Sequence, residues 1–118
     1  ALRAARAGQD FPMTAGQQEK DWIHVDDVAA GLLALLGRDL PPGATAELGT
    51  GQTTTVRAVV ERLYALVGRG GRPLPGALPS RPGEAPRHAA DAAATAALIG
   101  WRARVGLEEG LARLVEQE

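Results

Sequence analysis

Arg81-Pro82-Gly83-Glu84 sets a guanidinium, a rigid turn and a carboxylate within four consecutive residues. Arginine's planar fork pairs with phosphate oxygens two at a time, and a nearby carboxylate can accept hydrogen bonds from ribose hydroxyls. The same residues also read as a solvated Pro/Gly loop with ordinary surface charges, and spacing alone leaves both readings open. Other groups capable of chemistry are few. His24 and His88 are the two histidines, and they stand in different segments. His24 follows Ile23 in a β-prone run, where a structural ring is the simpler reading. Asp26-Asp27 reads as a helix start, and an acid/base role would need a partner that the sequence does not supply. Glu108-Glu109 sits in the first turn of a helix, where negative charge favours the dipole. No HExxH, no Cys/His cluster and no spaced carboxylate set argues for a metal. Gly49-Thr50-Gly51 has the look of a dinucleotide turn but lacks the third glycine, so it reads as a structural turn.

The elements that must carry these residues follow from periodicity and punctuation. Residues 1–9 read as the end of a helix with Gly8 as its terminating glycine. Phe11–Thr14 is a short extended segment, and Ala15–Glu19 a polar turn. Trp22–Val25 reads as a strand. Asp26 or Asp27 then caps a helix running to about Leu36, apolar nearly all round. Gly37 stops it, and Pro41-Pro42-Gly43 is a loop. Ala44–Gly49 reads as a second strand. Thr55 is expected to cap the clearest helix, in which Val56, Val59, Val60, Leu63, Leu66 and Val67 share one face. Arg57 and Glu61 can pair on the opposite side, and Gly68 ends the helix. Pro73, Pro75, Pro79, Pro82 and Pro86, of eight prolines in the chain, make 69–90 a long irregular loop. A loop of that length in a compact domain usually carries function. Asp91 can cap a short Ala-rich helix ending at Ile99-Gly100, and a last helix runs from about Leu107 to Gln117.

Composition narrows the classes. With 118 residues the chain is one domain or a piece of one, able to bury roughly two-thirds of its unfolded surface. Aromatic residues are 3% of the chain, so Leu, Val and Ala must supply the core. The net charge of −1 and the scattered Lys and Arg give no footprint for nucleic acid. No apolar run approaches the ~20 residues of a membrane helix. The absence of cysteine excludes a disulfide framework and thiolate metal sites. A cytoplasmic location is the expectation.

Three segments in order carry a family resemblance. Thr14-Ala15-Gly16-Gln17-Gln18-Glu19-Lys20-Asp21-Trp22-Ile23-His24-Val25-Asp26-Asp27-Val28 is similar to the G-x-Q-x-R-D-(aromatic)-(I/V)-x-V-D-D-V stretch of extended short-chain dehydrogenases. Glu47-Leu48-Gly49-Thr50-Gly51 with Thr54-Thr55-Val56 resembles their N-x-G-x-G-x-x-(S/T)-V turn into a helix. Arg81-Pro82-Gly83-Glu84, then Asp91, Gly100-Trp101 and Leu107-Glu108-Glu109-Gly110-Leu111, resembles their closing R-P-G-(D/E) … D … L-G-W-x-P … L-E-E-G-L pattern. The chain therefore resembles the C-terminal, substrate-side part of the NAD-dependent epimerase/dehydratase group that acts on nucleotide sugars.

That resemblance implies an α/β fold: the C-terminal part of an extended short-chain dehydrogenase, with a few short strands and four to five helices. It implies one substrate-binding domain fragment over 1–118 and a Rossmann half mostly missing. The implied substrate contacts are Lys20, at the family's arginine position, and Arg81 for the diphosphate. Glu84 would serve the ribose, and the segment of Phe11 and Met13 would pass the base. Asp27 is implied to be structural. Lysine keeps the charge of the arginine it replaces but loses the bidentate fork. Glu47 for asparagine and Ala103 for proline are further departures. NAD or NADP is implied to be bound by an N-terminal part absent from this chain, with a homodimer possible in the intact enzyme. The family's Tyr-x-x-x-Lys pair has no counterpart, because the single tyrosine, Tyr64, is followed four residues later by Gly68. This stretch is thus expected to lack catalytic residues of its own. The alternative is a stand-alone, non-catalytic binding or interaction module derived from the same fold.

Overall fold

The computed structural model describes residues 1–79 and 89–117. In chain order the elements are α1 (Leu2–Arg6), β1 (Phe11–Pro12), β2 (Glu19–Lys20), α2 (Val25–Leu36), β3 (Thr54–Thr55), α3 (Val56–Val67), β4 (Pro73–Leu74), α4 (Ala92–Ile99) and α5 (Leu107–Glu116). This is the mixed α/β class expected from the sequence, with five helices and short strands. The chain packs as two compact units.

The first unit comprises residues 1–20, the described part of 54–88, and 111–117. Its heart is α3, whose apolar stripe buries Val59, Val60, Leu63 and Tyr64. Val60 and Tyr64 pack with Ala5 and Met13, and Phe11, Val56 and Val67 lie against this cluster. The Tyr64 hydroxyl donates to the Gln9 carbonyl, which gives the one buried phenol a partner. The Thr55 side chain accepts from the Ala58 amide at 3.1 Å and caps α3 as expected. Arg57 and Glu61 pair at 2.6 Å on the solvent face. The Arg6 guanidinium reaches the Leu114 and Val115 carbonyls at 3.1 Å each, satisfying acceptors left open at the end of α5.

Two short ladders frame this core. β2 and β3 pair antiparallel, Lys20 opposite Thr54. β1 and β4 pair in parallel, Phe11 opposite Pro73 and Pro12 opposite Leu74. The strand β4 was not expected, because Pro73 and Pro75 read as loop. The ladder tolerates proline because the donors come from the other strand: the Phe11 amide donates to Arg72 O at 3.0 Å and the Met13 amide to Leu74 O at 3.3 Å.

The second unit comprises residues 21–53 and 89–110. Among its described residues there is no strand, which corrects two expectations. Trp22–Val25 is not a strand: α2 already begins at Val25, and His24 is its N-cap, its Nδ1 accepting from the Asp26 amide at 3.1 Å. Without a neighbouring ladder, a β-prone run gains nothing from extension, and the imidazole takes the cap position instead of Asp26 or Asp27. Ala44–Gly49 is not a strand either. Its polar backbone is served by a side chain: the Glu47 amide donates to Thr95 Oγ1 at 3.2 Å, and that hydroxyl donates to Glu47 O at 2.9 Å. Thr95 is fully enclosed in α4. The Asp91 carboxylate caps α4 through the Ala94 amide at 3.0 Å, as its position suggested. Asp27, buried in α2, accepts from the Arg104 and Val105 amides at 2.8–3.0 Å, the structural role expected of it. Gly31 lets α2 approach its neighbours: a Cβ there would stand 2.8 Å from Leu48 Cδ2 and 3.2 Å from Trp101 Cε2.

Leu63→Ala should destabilise the protein by about 2–5 kcal/mol in a urea titration, through lost transfer energy and a residual cavity. Thr55→Ala should cost about 1 kcal/mol in the same assay by removing the α3 cap.

Candidate functional site

Among the described residues the densest polar constellation is built on Asp21. Its Oδ1 accepts from the Thr50 amide at 2.9 Å and from the Thr50 hydroxyl at 2.6 Å. Its Oδ2 accepts from the Gly51 amide at 2.9 Å and the Ala90 amide at 3.0 Å. One carboxylate thus joins three chain segments: the residues entering α2, the Gly49-Thr50-Gly51 turn, and the approach to α4. Glycine at 49 is needed for this closeness, since a Cβ would lie 2.7 Å from Asp21 Oδ2 and 2.6 Å from Ala90 Cβ. Partial burial pushes the Asp21 pKa up, but the hydrogen bonds from the Thr50 hydroxyl and the Thr50, Ala90 and Gly51 amides outweigh it. The net pKa falls below its ordinary value of 3.8.

This arrangement decides what the Gly-Thr-Gly turn can bind. Successive backbone N–H groups in a turn form a concave anion site. Here the anion is the protein's own Asp21, so the turn has no free amides at Thr50 and Gly51 for a dinucleotide phosphate. The residues present do not fit an NAD cradle. Asp21 was quoted in the sequence motif but given no role there. The signal was available: a lone aspartate beside a cation, and a glycine-flanked threonine whose amides need acceptors.

The expected substrate residues fall as follows. Lys20 ends β2 and its side chain is exposed. Phe11, in β1, is half-buried and lies against the core cluster that contains Met13. Met13 is 5% exposed, so its side chain is a core group in this structure. Arg81, Glu84 and His88 lie outside the described residues. What is described is the stem leading to them: the Leu78 amide donates to Met13 O and the Gly76 amide to Thr14 O, both at 3.1 Å.

The Tyr64 ring belongs to the core cluster of the first unit. Burial, with a further push from the Asp10 carboxylate, raises its pKa above 10, and its hydroxyl is engaged with Gln9. Among the described residues no three His, Asp or Glu side chains gather as a metal site. No described helix is long and apolar enough to cross a membrane.

No protein-family model matches the chain. A bifunctional UDP-glucose 4-epimerase and UDP-xylose 4-epimerase 3 of Arabidopsis thaliana is 36% identical over 107 residues, covering 86% of this chain and 30% of the relative. The crystal structure of the UDP-glucose 4-epimerase of Thermotoga maritima with UDP-glucose superposes with a TM-score of 0.87 at 27% identity, over 98% of this chain and 36% of that one. The structure of MoeE5 in complex with UDP-glucuronic acid and NAD gives a TM-score of 0.81 at 30% identity, over 98% of this chain and 38% of that one. The chain spans about a third of the length of the proteins it matches. It carries the sequence and fold of the C-terminal part of the NAD-dependent epimerase/dehydratase family.

Asp21→Asn should cost about 1–3 kcal/mol at pH 7, because an amide cannot accept all the bonds now made to the carboxylate. The lowered pKa means that the stabilisation from Asp21 is fully present above pH 3.8. It is lost as the pH falls through and below that value. An acid titration of unfolding free energy should show this slope in the parent protein and a weaker one in the variant.

Proposed function

We propose that this chain is the substrate-binding portion of an NAD(P)-dependent nucleotide-sugar epimerase, dehydratase or reductase, and that it clamps the nucleotide diphosphate. The observation that carries this reading is the match over 98% of the chain to a 4-epimerase structure holding UDP-glucose. The residues of the clamp are Lys20, Arg81 and Glu84, with Phe11 and Met13 belonging to the segment that passes the base. Lys20 stands exposed at the end of a strand whose backbone is fixed by β3, so its ammonium offers a point charge from a firm base. Arg81 supplies the bidentate fork and Glu84 an acceptor for ribose hydroxyls. The work of such a clamp is positioning: it holds the sugar in one orientation before any bond changes.

The redox chemistry belongs elsewhere in this reading. NAD or NADP supplies hydride transfer in such enzymes, and it is bound by an N-terminal part outside these residues. Asp21 occupies the Thr50 and Gly51 amides of the glycine turn, so no step of the reaction is assigned to the dinucleotide within this chain.

Arg81→Ala in the intact enzyme should weaken UDP-, CDP- or dTDP-sugar binding roughly tenfold or more, as expected for a charge-assisted hydrogen-bond pair. Lys20→Ala should weaken it less, by about three- to tenfold. Isothermal titration calorimetry reads both, and unchanged affinity in Arg81→Ala would reject the clamp.

A further inference from the structure

The first turn of α2 is capped by a group that can change its charge. His24 Nδ1 accepts from the Asp26 amide at 3.1 Å, which puts the ring's proton on Nε2 and leaves the imidazole neutral. Asparagine or serine at a helix start would accept that bond at any pH. An imidazole accepts it only while Nδ1 is unprotonated. A second partner stands ready for the other state: Asp26 Oδ2 lies 3.6 Å from the same Nδ1. One ring nitrogen therefore meets a donor and an acceptor of a single residue.

The surroundings keep the ring at this choice. The His24 side chain is 11% exposed. Gly110 of α5 packs against it, since a Cβ there would stand 3.3 Å from His24 Cδ2. The rest of the helix start does not depend on the imidazole. His24 O accepts from the Asp27 and Val28 amides at 3.0 and 3.1 Å. The Asp27 carboxylate holds the Arg104 and Val105 amides.

We propose that His24 is a proton-operated switch at the start of α2. Neutral, it caps the Asp26 amide through Nδ1; protonated, the same nitrogen donates to the Asp26 carboxylate and the amide is released. The proton comes from bulk water, and the N–H bond at Nδ1 is the only covalent bond formed. A positive ring at a helix N-terminus opposes the dipole, and the carboxylate offsets that cost. The switch thus exchanges one partner for another and leaves α2 folded. Other charges lie along the element packed on the ring. In α5, Glu108 and Glu109 precede Gly110 and Arg113 follows it, while Arg104 flanks Val105, whose Cγ1 also borders Gly110.

Magnetic resonance on the full 15N-labelled chain, from about pH 7.5 to about pH 5, spans the range in which histidines change charge. At the upper end Nδ1 of His24 should give the signal of an unprotonated acceptor. At the lower end both ring nitrogens should carry protons. The exchange protection of the Asp26 amide, corrected for the intrinsic pH dependence of exchange, should then have fallen roughly fivefold through loss of its acceptor. His24→Asn should keep that protection constant, because an amide oxygen accepts throughout. Asp26→Asn should move the transition to lower pH, because the imidazolium loses its carboxylate. Glu108→Gln/Glu109→Gln should leave it in place. The proposal is overturned by an Nδ1 already protonated at the upper end, or by protection of the Asp26 amide that does not change with pH. It is also overturned if His24→Asn keeps the parent's pH dependence, or if the glutamate pair moves the transition and Asp26→Asn does not. The parent titration decides the first two outcomes whether or not a variant folds. None of these readouts involves sugar binding, so the clamp stands or falls separately.

Discussion

The carboxylate of Asp21, closed over the amides of Thr50, Gly51 and Ala90, is the constraint on which the second unit depends. This unit has no strand among its described residues, so ladder bonds do not hold it. Side chains do that work instead. Asp21 ties three segments, Thr95 and Glu47 exchange bonds between α4 and the preceding turn, and Asp27 holds the Arg104–Val105 backbone. Hydrogen bonds to an ionised group are about twice as strong as neutral ones, so a few carboxylates can replace a short ladder. The Asp21 tie leaves no room for a side chain at Gly49, where a Cβ would stand 2.6 Å from Ala90 Cβ and 2.7 Å from Asp21 Oδ2.

The same carboxylate has a functional consequence. A glycine turn between an extended segment and a helix is a ready anion site, and Asp21 fills it from within. Lys20, the residue immediately before Asp21 in the chain, is a cation of the proposed clamp. The first unit supplies the support for it: Lys20 pairs through its backbone with Thr54 in β3, and β3 runs directly into the buried helix α3.

Much of this was legible in the residues. The α3 stripe, its Thr55 cap and the Arg57–Glu61 pair follow from helix periodicity and local capping chemistry, and all three are present. Asp91 and Gly100 bound α4 for the same local reasons. What was not legible depends on partners distant in sequence. Trp22–Val25 has β-prone composition and Ala44–Gly49 reads as a strand, yet strand formation needs a neighbour, and here a histidine ring and a threonine hydroxyl take the polar groups. The strand at Pro73–Leu74 was hidden by its prolines, whose missing donors matter only if that edge must donate. Of the proposed clamp, the sequence marked Lys20 only by its charge and its place in the motif. It did not reveal that Met13, three residues beyond Asp10, is a core side chain packed with Tyr64.

The central claim is that the cations of this chain meet a pyrophosphate. A crystal structure of the intact enzyme with a UDP-sugar tests it most directly. The account predicts Lys20 Nζ and the Arg81 guanidinium at ~2.8 Å from diphosphate oxygens. A diphosphate bound away from both side chains would contradict it.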